Sequence, residues 1–342
     1  VMQISRRFPH CILGLLLACS TAVSSAAEVN LYSARIEALI KPLLDTFTEQ
    51  TGIEVNLVTG DADGLIQRLK SEGRNSPADI LLTTDVGRLY RAKEASLTQS
   101  VESTTLEQNI PVMYRDDSNH WFGLSLRARP ILYVKDKVDP AELSSYEDLS
   151  DPKWKGKICI RSSNNVYNQS MVASLIAANG LEATEEWAKG LVANFAMPPR
   201  GGDRDQIKAA AAGQCDLAIA NTYYLAGMLT SDDEEQRAAA EKMAVFWPNQ
   251  DGRGAHVNIS GAAVTASAPN RDNAIALLEF LSTDAAQSWY AHENGEYPIR
   301  NDIEIGPVLS SWGTFKADPV ELYKLGAGNG EALRLMDRAG WR

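Results

Sequence analysis

The stretch Asp216-Leu217-Ala218-Ile219-Ala220-Asn221-Thr222-Tyr223-Tyr224 decides how this sequence folds. Its apolar run predicts a strand buried between two layers, and two adjacent tyrosines follow where that strand ends. A second run, Lys157-Ile158-Cys159-Ile160, leads into a polar turn that carries Tyr167. If the two strands are parallel neighbours, the three phenols converge at their carboxyl ends, where open α/β sheets bind ligands. Three converging phenols indicate a site for a hard, highly charged cation.

Each of the two runs also has a cysteine, and a tyrosine follows that cysteine after eight residues in both cases, Cys159 to Tyr167 and Cys215 to Tyr223. The matched spacing predicts that both cysteines lie at the same level of neighbouring strands, where a disulfide is geometrically feasible. In an exported chain an isolated cysteine pair is more often bridged than free. The alternative is two buried, unreactive thiols.

The N-terminal residues predict a secretory signal peptide over residues 1–27. Arg6 and Arg7 precede a short apolar segment, and small residues ending at Ala27 provide a cleavage region. A lipid-anchored form processed at Cys19 is the less favoured alternative, because Leu16-Leu17-Ala18-Cys19 only partly resembles a lipoprotein signal. We therefore expect a periplasmic protein.

The composition bounds the class of protein. The chain has 342 residues with 33 basic and 44 acidic side chains, giving a formal net charge of −11. An acidic surface argues against nucleic acid or an anionic membrane as the main partner. The length beyond the signal peptide is too great for one ordinary core and predicts two domains. We expect a monomer.

Strand and helix patterns alternate at the start of the mature chain. The predicted elements are a strand at 29–32, a helix at 36–50, a strand at 53–58, a helix at 65–72 and a strand at 78–82. This order predicts parallel strands joined by right-handed crossovers. Long extended segments at 123–134 and 255–264 bracket a middle block, as a chain requires to cross to a second lobe and return. We predict an N-terminal lobe of residues 28–125 and 256–302 and a C-terminal lobe of 126–255 and 303–342.

Five short motifs between about residues 29 and 299 resemble those of periplasmic ferric-iron-binding proteins. They are Tyr32-Ser33-Ala34-Arg35, Asn75-Ser76-Pro77-Ala78-Asp79-Ile80, Trp154-Lys155-Gly156-Lys157, Tyr167-Asn168-Gln169-Ser170 and Asn221-Thr222-Tyr223-Tyr224. The resemblance implies an α/β, two-lobe periplasmic-binding-protein fold with a hinged interlobe cleft, similar to a transferrin lobe. It implies a non-enzymatic protein that delivers Fe³⁺ to an inner-membrane ABC permease with its ATPase. It also implies that Tyr167, Tyr223 and Tyr224 hold the metal.

The chemistry of the phenols agrees with that resemblance independently. Fe³⁺ is a hard cation that prefers charged oxygen ligands. A free phenol has a pKa near ~10, but a bound cation lowers the pKa of its ligand and stabilises the phenolate. Three phenolates would neutralise the three positive charges. The simpler interpretation of any single tyrosine is a half-buried aromatic with a hydrogen-bonded hydroxyl.

The first lobe departs from the family pattern. Many relatives have a histidine, or histidine and tyrosine, just after the Tyr-Ser-x-Arg motif, whereas this chain has Ile36 and Glu37. Glu37 is a candidate ligand, or it simply interacts with a helix dipole. If Glu37 does not reach the metal, water or an anion such as carbonate or citrate would complete the coordination sphere. Arg35 could hold such an anion bidentately beside the metal, or it pairs with an acidic neighbour at the lobe surface.

Arg204 is a candidate supporting residue. It could donate to phenolate oxygens and lower their basicity, or it could form a surface pair with Asp203. Two other functions remain open at this point. One is a binding protein of the same fold for an organic anion, a polyamine or Fe²⁺. The other is an exported enzyme, which is less favoured because the sequence has no paired base or catalytic motif.

Overall fold

The computed structural model describes residues 27–342. The signal peptide and the alternative lipid-anchored Cys19 therefore lie outside the described residues, save for Ala27. Between residues 27 and 342 no helix is long and apolar enough to cross a membrane.

The strands of the described chain form two separate sheets. The first sheet contains β1 (Glu28–Ser33), β2 (Glu54–Thr59), β3 (Ile80–Thr84), β4 (Phe122–Ala128) and β9 (Val257–Val264). The second contains β5 (Ile131–Val134), β6 (Ile158–Cys159), β7 (Leu217–Ile219) and β8 (Met243–Phe246).

Helices connect and cover these strands. They are α1 (Lys41–Thr51), α2 (Ala62–Glu72), α3 (Val86–Glu94), α4 (Thr104–Asn109), α5 (Val166–Asn179), α6 (Leu181–Ala193), α7 (Asp203–Ala211), α8 (Thr222–Leu229), α9 (Glu234–Glu241), α10 (Arg271–Leu281), α11 (Asp284–His292), α12 (Pro307–Ser310) and α13 (Leu322–Arg338).

The first sheet has the strand order β2-β1-β3-β9-β4. Strand β1 is parallel to both β2 and β3, as the alternating strand and helix pattern predicts. Strand β9, formed where the chain returns from the second lobe, lies between β3 and β4 and is antiparallel to both. The carboxyl ends of β1 and β3 therefore lie at the same edge of the sheet.

The second sheet has the order β6-β7-β5-β8. Strands β6 and β7 are parallel neighbours, with Ile158 opposite Leu217 and Cys159 opposite Ala218. Strand β5 is antiparallel to β7 and β8. The two runs that precede the tyrosines thus end at one edge of this sheet.

Each sheet is covered on both faces, which explains its continuous apolar strands. In β7, Leu217 and Ile219 belong to one core cluster, whereas Ala218 belongs to a second cluster on the opposite face. In β1, Leu31 and Tyr32 divide in the same way. This alternation follows from the two-residue period of side chains along a strand.

The chain passes between the sheets twice, and the two crossings lie side by side. The first joins β4 to β5, and the second joins β8 to β9. At the crossings the amide of Arg129 donates to the carbonyl of His256 at 3.0 Å. The buried hydroxyl of Tyr146 donates to the carbonyl of Arg129 at 2.6 Å and accepts from the amide of His256 at 3.0 Å. One phenol therefore connects both crossing segments.

Helix α13 packs against both halves of the molecule. Leu322 and Leu325 belong to the core cluster of the first sheet, and Leu335 and Met336 belong to a cluster of the second. The sequence placed all of 303–342 in the C-terminal lobe. The lobe boundaries stay a prediction, but the N-terminal end of α13 contributes to the other core.

Two details of the predicted elements are wrong. The helix predicted over 36–50 is interrupted, because Glu37–Leu39 forms a short 3-10 turn and α1 begins only at Lys41. Pro42 accounts for this start, since proline is favoured in the first helical turn and disfavoured further inside. The extended segment 123–134 divides into β4 and β5 at Arg129-Pro130, because proline has no amide to continue the ladder.

Candidate metal centre

The three tyrosines converge, although each lies in the helix that follows its strand rather than in the strand end or turn predicted for it. Tyr167 is in the first turn of α5, and Tyr223 and Tyr224 are in the first turn of α8. The hydroxyl of Tyr223 donates to the hydroxyl of Tyr167 at 3.3 Å. The ring centroids of Tyr223 and Tyr224 are 4.2 Å apart. The predicted convergence of three phenols is therefore present, while their role as ligands stays a prediction.

A buried arginine bridges the N-terminal ends of the two tyrosine-bearing helices. The guanidinium of Arg129 donates from Nη2 to the side-chain oxygen of Asn168 at 2.7 Å. It donates from Nη1 to the side-chain oxygen of Asn221 at 2.9 Å. Asn168 follows Tyr167 directly, and Asn221 is the N-cap of α8, two residues before Tyr223. One guanidinium thus fixes the distance between the two helix N-termini.

The charge of Arg129 is balanced by Asp203, whose side chain is completely buried. Its carboxylate accepts from Arg129 at 3.0 Å and from Arg161 at 2.9 Å. A buried charge is tolerated only when it is paired and hydrogen-bonded, so this cluster acts as one unit. Removing one of these charged side chains would leave an uncompensated buried charge next to the helices that carry the tyrosines.

The disulfide predicted between Cys159 and Cys215 is confirmed, with Cα atoms 5.9 Å apart. The expectation that both cysteines lie at the same level is wrong, because Cys159 is opposite Ala218, three residues beyond Cys215. The bridge instead connects the end of β6 to Cys215, which lies two residues before β7 begins. It connects the two strands that lead to the tyrosines.

The first lobe reaches the tyrosines through Thr84 at the carboxyl end of β3. The hydroxyl of Thr84 lies 3.4 Å from the hydroxyl of Tyr167. Arg88 donates from Nη1 to the hydroxyl and the carbonyl of Thr84 at 3.3 and 3.2 Å. Asp63 holds Arg88 in place through an ion pair of 2.8 Å. Asp63 therefore acts on the site through Arg88 rather than by direct contact.

Guanidinium groups surround the phenols. The Cζ atoms of Arg127 and Arg161 lie 5.0 and 5.8 Å from the ring centroid of Tyr167. The Cζ atom of Arg204 lies 5.7 Å from the ring centroid of Tyr224. These cations favour anions in the cleft, and phenolates are the anions that the chain itself can supply.

Arg127 has unused hydrogen-bonding capacity. Its side chain is buried, and Nη2 donates to the carbonyl of Ile259 at 2.5 Å. Within residues 27–342 its Nε and Nη1 have no hydrogen-bond partner. Buried donors are rarely left unpaired in folded proteins, so this pair of donors fits an additional oxygen acceptor.

The surroundings lower the pKa of one of the three phenols and raise the pKa values of the other two. Burial raises the pKa of Tyr167, but the charge of Arg127 and the hydrogen bonds from Thr84 and Tyr223 lower it more, so its pKa lies below 10.0. Burial, together with the neighbouring phenols, raises the pKa of Tyr223 well above 10.0. Burial and the charges of Tyr167 and Asp203 raise the pKa of Tyr224 above 10.0. Tyr167 is therefore the first phenol to ionise.

Glu37, the candidate ligand from the first lobe, makes no hydrogen bond with the three phenols within the described residues. It is exposed in the 3-10 turn before α1. Within the described residues it is not one of the main groups that shift the pKa values of the three tyrosines. Its ligand role stays a prediction, and the structure brings Thr84 rather than Glu37 to Tyr167.

Arg35 is buried and pairs with an acidic residue. Its Nη2 donates to the carboxylate of Glu296 at 2.6 Å and to the hydroxyl of Ser125 at 3.0 Å. Its Nε has no partner within the described chain. Arg35 thus makes the acidic pair that was the alternative to anion binding, although inside the protein rather than at the surface. A role in holding an anion stays a prediction.

The guanidinium of Arg204 lies over the ring of Tyr224. Asp203, its predicted surface partner, is instead buried with Arg129 and Arg161. The prediction that Arg204 donates to a phenolate is not tested by this geometry. A cation above a tyrosine ring stabilises the pair by roughly 1 kcal/mol.

The sequence did not identify Thr84, Arg127 or Arg129 as functional residues. The two arginines lie in a strand pattern of alternating apolar and polar residues, which normally indicates one solvent-exposed face. The sequence did contain one signal for a buried role, namely two arginines close to a proline in an apolar segment. Arginines in such a segment are buried, and buried arginines require dedicated partners. Thr84 had no distinguishing signal.

No group of three or more His, Cys, Asp or Glu side chains in residues 27–342 is placed to hold a metal ion. A metal bound at the tyrosines would therefore depend on phenol oxygens. Such oxygens suit a hard trivalent cation better than zinc, which favours nitrogen and sulfur ligands.

A model of the family described as bacterial extracellular solute-binding protein matches residues 43–317. The chain is 50% identical to iron uptake protein A1 of Synechocystis over 92% of this chain and 88% of that protein.

Two solved structures are similar along most of the chain. The Trichodesmium protein FutA (IdiA), solved with iron and citrate ligands, has a TM-score of 0.90 at 51% identity and covers 92% of this chain and 100% of its own. Ferric iron-binding protein A of Mannheimia haemolytica, solved in an open conformation, has a TM-score of 0.86 at 43% identity, covering 92% and 99%. The α/β fold predicted from the sequence is confirmed.

Proposed function

This chain belongs to the family of bacterial extracellular solute-binding proteins, and from that premise we propose that it captures Fe³⁺ in the cleft between its lobes. Tyr167, Tyr223 and Tyr224 supply three tyrosinate ligands in this proposal. The protein delivers the iron in the periplasm to an inner-membrane ABC permease with its ATPase. The family resemblance implies a carrier and not an enzyme.

The observation that carries the proposal is the contact between phenols from two different helices. The hydroxyls of Tyr167 and Tyr223 are 3.3 Å apart, which is close enough for both oxygens to bind one cation, and the ring of Tyr224 packs against that of Tyr223. Two similar proteins carry iron uptake or iron binding in their names, which supports the same cargo. The unequal pKa values of the phenols suit stepwise capture, in which Tyr167 binds first.

Charge explains why the cargo would be trivalent. The guanidinium groups of Arg127, Arg161 and Arg204 disfavour a bare cation near the phenols. Ionised phenols must offset both these groups and the metal, and only a highly charged cation lowers phenol pKa values enough. A divalent ion would gain less from each phenolate by simple Coulomb interaction.

We propose that an exogenous anion, carbonate or citrate, completes the coordination sphere. Nε and Nη1 of Arg127, which have no hydrogen-bond partner within the described part of the chain, support this proposal, since an oxyanion would accept from both. The similar Trichodesmium protein was solved with citrate as well as iron. Arg127 is a better placed donor than Arg35, whose guanidinium already binds Glu296. Iron uptake by anion-free protein, with carbonate or citrate then added separately, distinguishes the two anions.

Cleft closure follows from contacts made by both lobes. The metal favours the closed state only to the extent that it binds that state more tightly. Thr84 links the first lobe to Tyr167, so neutralising Tyr167 with a metal changes a contact that spans the cleft. We retain the lobe boundaries predicted from the sequence for this proposal.

The test is a visible absorption titration of the purified mature protein with ferric citrate. Fe³⁺ phenolate complexes absorb strongly in the visible, so we expect a red or orange band that saturates near one iron per chain. Tyr167→Phe and Tyr224→Phe should each diminish the band. Tyr133→Phe is the matched control, because Tyr133 lies opposite Leu217, at the end of the sheet away from the phenols.

A colourless protein that takes up no iron would contradict the proposal. The arginines around the phenols favour one other candidate, an organic anion held by these guanidinium groups. That candidate predicts tight citrate binding without iron and without colour. Calorimetry with citrate alone, compared with ferric citrate, separates the two functions.

A further inference from the structure

Four buried polar side chains meet where the two lobes touch, one helical turn along α5 from Tyr167. They are Asp85 after β3, Ser170 in α5, Asn258 in β9 and Asn329 in α13, and their exposed fractions are 0%, 0%, 5% and 5%. Two come from the first sheet or its end, one from helix α5 of the second lobe, and one from α13, the helix that packs on both halves. Buried polar groups of this kind are costly unless every member is satisfied.

The carboxylate of Asp85 is the acceptor at the centre of this cluster. Ser170 donates its hydroxyl to Oδ1 at 2.7 Å, and the amide of Gly87 donates to the same oxygen at 2.9 Å. Asn258 donates from Nδ2 to Oδ2 at 2.9 Å. Asn329 donates to the hydroxyl of Ser170 at 3.1 Å, which orients that hydroxyl toward Asp85.

Asp85 has an unfavourable backbone conformation. Its φ is 77° and its ψ is 126°, a region that residues with a side chain rarely adopt. Such conformations persist where the surrounding contacts hold them, and they cluster at functional sites. The strain at Asp85 presents its carboxylate to the second lobe and at the same time caps α3 through Gly87.

The same short segment also contacts the candidate metal centre. Thr84, directly before Asp85, lies 3.4 Å from the hydroxyl of Tyr167. Ser170 is three residues after Tyr167 and lies on the same side of α5. Two adjacent residues of the first lobe therefore contact two residues one helical turn apart in the second.

We propose that Asp85 and Ser170 form an interlobe latch that stabilises the closed conformation and positions Tyr167 for its ligand. The inference rests on the proposed function, because Tyr167 is the ligand that the latch orients. Asp85 and Ser170 are positioning residues that do not touch the cargo. A hydrogen bond to a charged group changes an equilibrium constant by roughly tenfold to a hundredfold, so the latch shifts the closed population measurably.

The chain offers a matched pair of serines for the test. Ser170 and Ser174 lie one turn apart in α5, and both are fully buried. Ser174 donates its hydroxyl to the carbonyl of Met171 in its own helix at 2.7 Å. Ser170→Ala removes the contact between lobes, whereas Ser174→Ala removes a contact within α5 and a long one of 3.5 Å from Arg253, which lies in the same predicted lobe.

The measurement is iron affinity by competition with citrate, together with the position of the visible band. We expect Ser170→Ala to weaken iron binding at least tenfold and to shift the band, because Tyr167 loses its orientation. Ser174→Ala should stay within about twofold of the unmodified protein. Equal affinities for the unmodified protein and Ser170→Ala would overturn the latch while leaving the proposed function intact.

Small-angle scattering without added iron provides a second readout that does not depend on the cargo. The latch predicts a larger radius of gyration for Ser170→Ala than for Ser174→Ala, since the closed state is less populated. Asp85→Gly should open the protein in the same way, and glycine tolerates the backbone conformation of this position. If the unmodified protein binds no iron, the proposed function fails, and the scattering comparison still decides whether the latch exists.

Discussion

Replacing Tyr223 with phenylalanine separates a ligand role from a structural one. The hydroxyl of Tyr223 donates one hydrogen bond, to Tyr167 at 3.3 Å. A single net hydrogen bond contributes about 1 kcal/mol to the free energy of unfolding, and the phenyl ring that remains keeps its packing against Tyr224. We therefore expect Tyr223→Phe to change the free energy of unfolding by at most about 1 kcal/mol.

The expected effect on iron binding is much larger. Charges of +3 and −1 at ~2 Å attract by about 25 kcal/mol at an effective dielectric constant of ~20. Desolvation and a replacing water cancel most of this gross attraction. If only a tenth survives, the loss is about 2.5 kcal/mol, or about sixtyfold in the dissociation constant.

The assay pairs urea unfolding of the metal-free protein with iron competition against citrate. Tyr133→Phe serves as the control, and it should alter neither iron affinity nor the visible band. Equal losses of stability and iron affinity in Tyr223→Phe, each expressed as a free energy, would refute the ligand assignment. The phenol would then be a structural group like Tyr146.

Iron binding should release protons from the phenols, at least from Tyr223 and Tyr224, because their surroundings raise both pKa values above that of a free phenol. Apparent affinity should thus rise with pH and fall in acid, and a pH-independent dissociation constant in competition titrations between about pH 6 and 8 would contradict this. Replacing Cys159 and Cys215 with serine should lower the free energy of unfolding by about 4 kcal/mol, since the bridge closes a loop with a sequence separation of 56. An unchanged midpoint of urea unfolding would contradict this stabilising role of the disulfide. Glu37→Gln should alter iron affinity by less than about twofold because the side chain is exposed in the structure. A tenfold loss would instead identify Glu37 as the first-lobe ligand.

Much of the fold could be predicted from the sequence because it follows from local patterns. The strands and helices up to β3 follow from apolar periodicity, and their parallel arrangement follows from the order of the elements. The errors lie where proline changes the backbone. Pro42 delays the start of α1, and Pro130 divides the extended segment. Both prolines were visible in the sequence and their consequences were local.

The candidate site was only partly predictable. The tyrosines and cysteines could be identified because their spacing from two buried runs is a property of the chain alone. The roles of Arg127 and Arg129 could not be identified, since their partners are distant in sequence. Arg129 pairs with Asp203, 74 residues away. No sequence pattern specifies a partner at that separation.

The sequence by itself determined that the three phenols follow two neighbouring strands and that a disulfide connects the same two segments of chain. Only the tertiary structure decided which residues of the first lobe meet them, namely Thr84 and Asp85 rather than Glu37. The physical reason is range. Hydrogen bonds act over about 3 Å, so a few ångströms of relative lobe position select the contacting residue, and that position depends on packing along the whole interface.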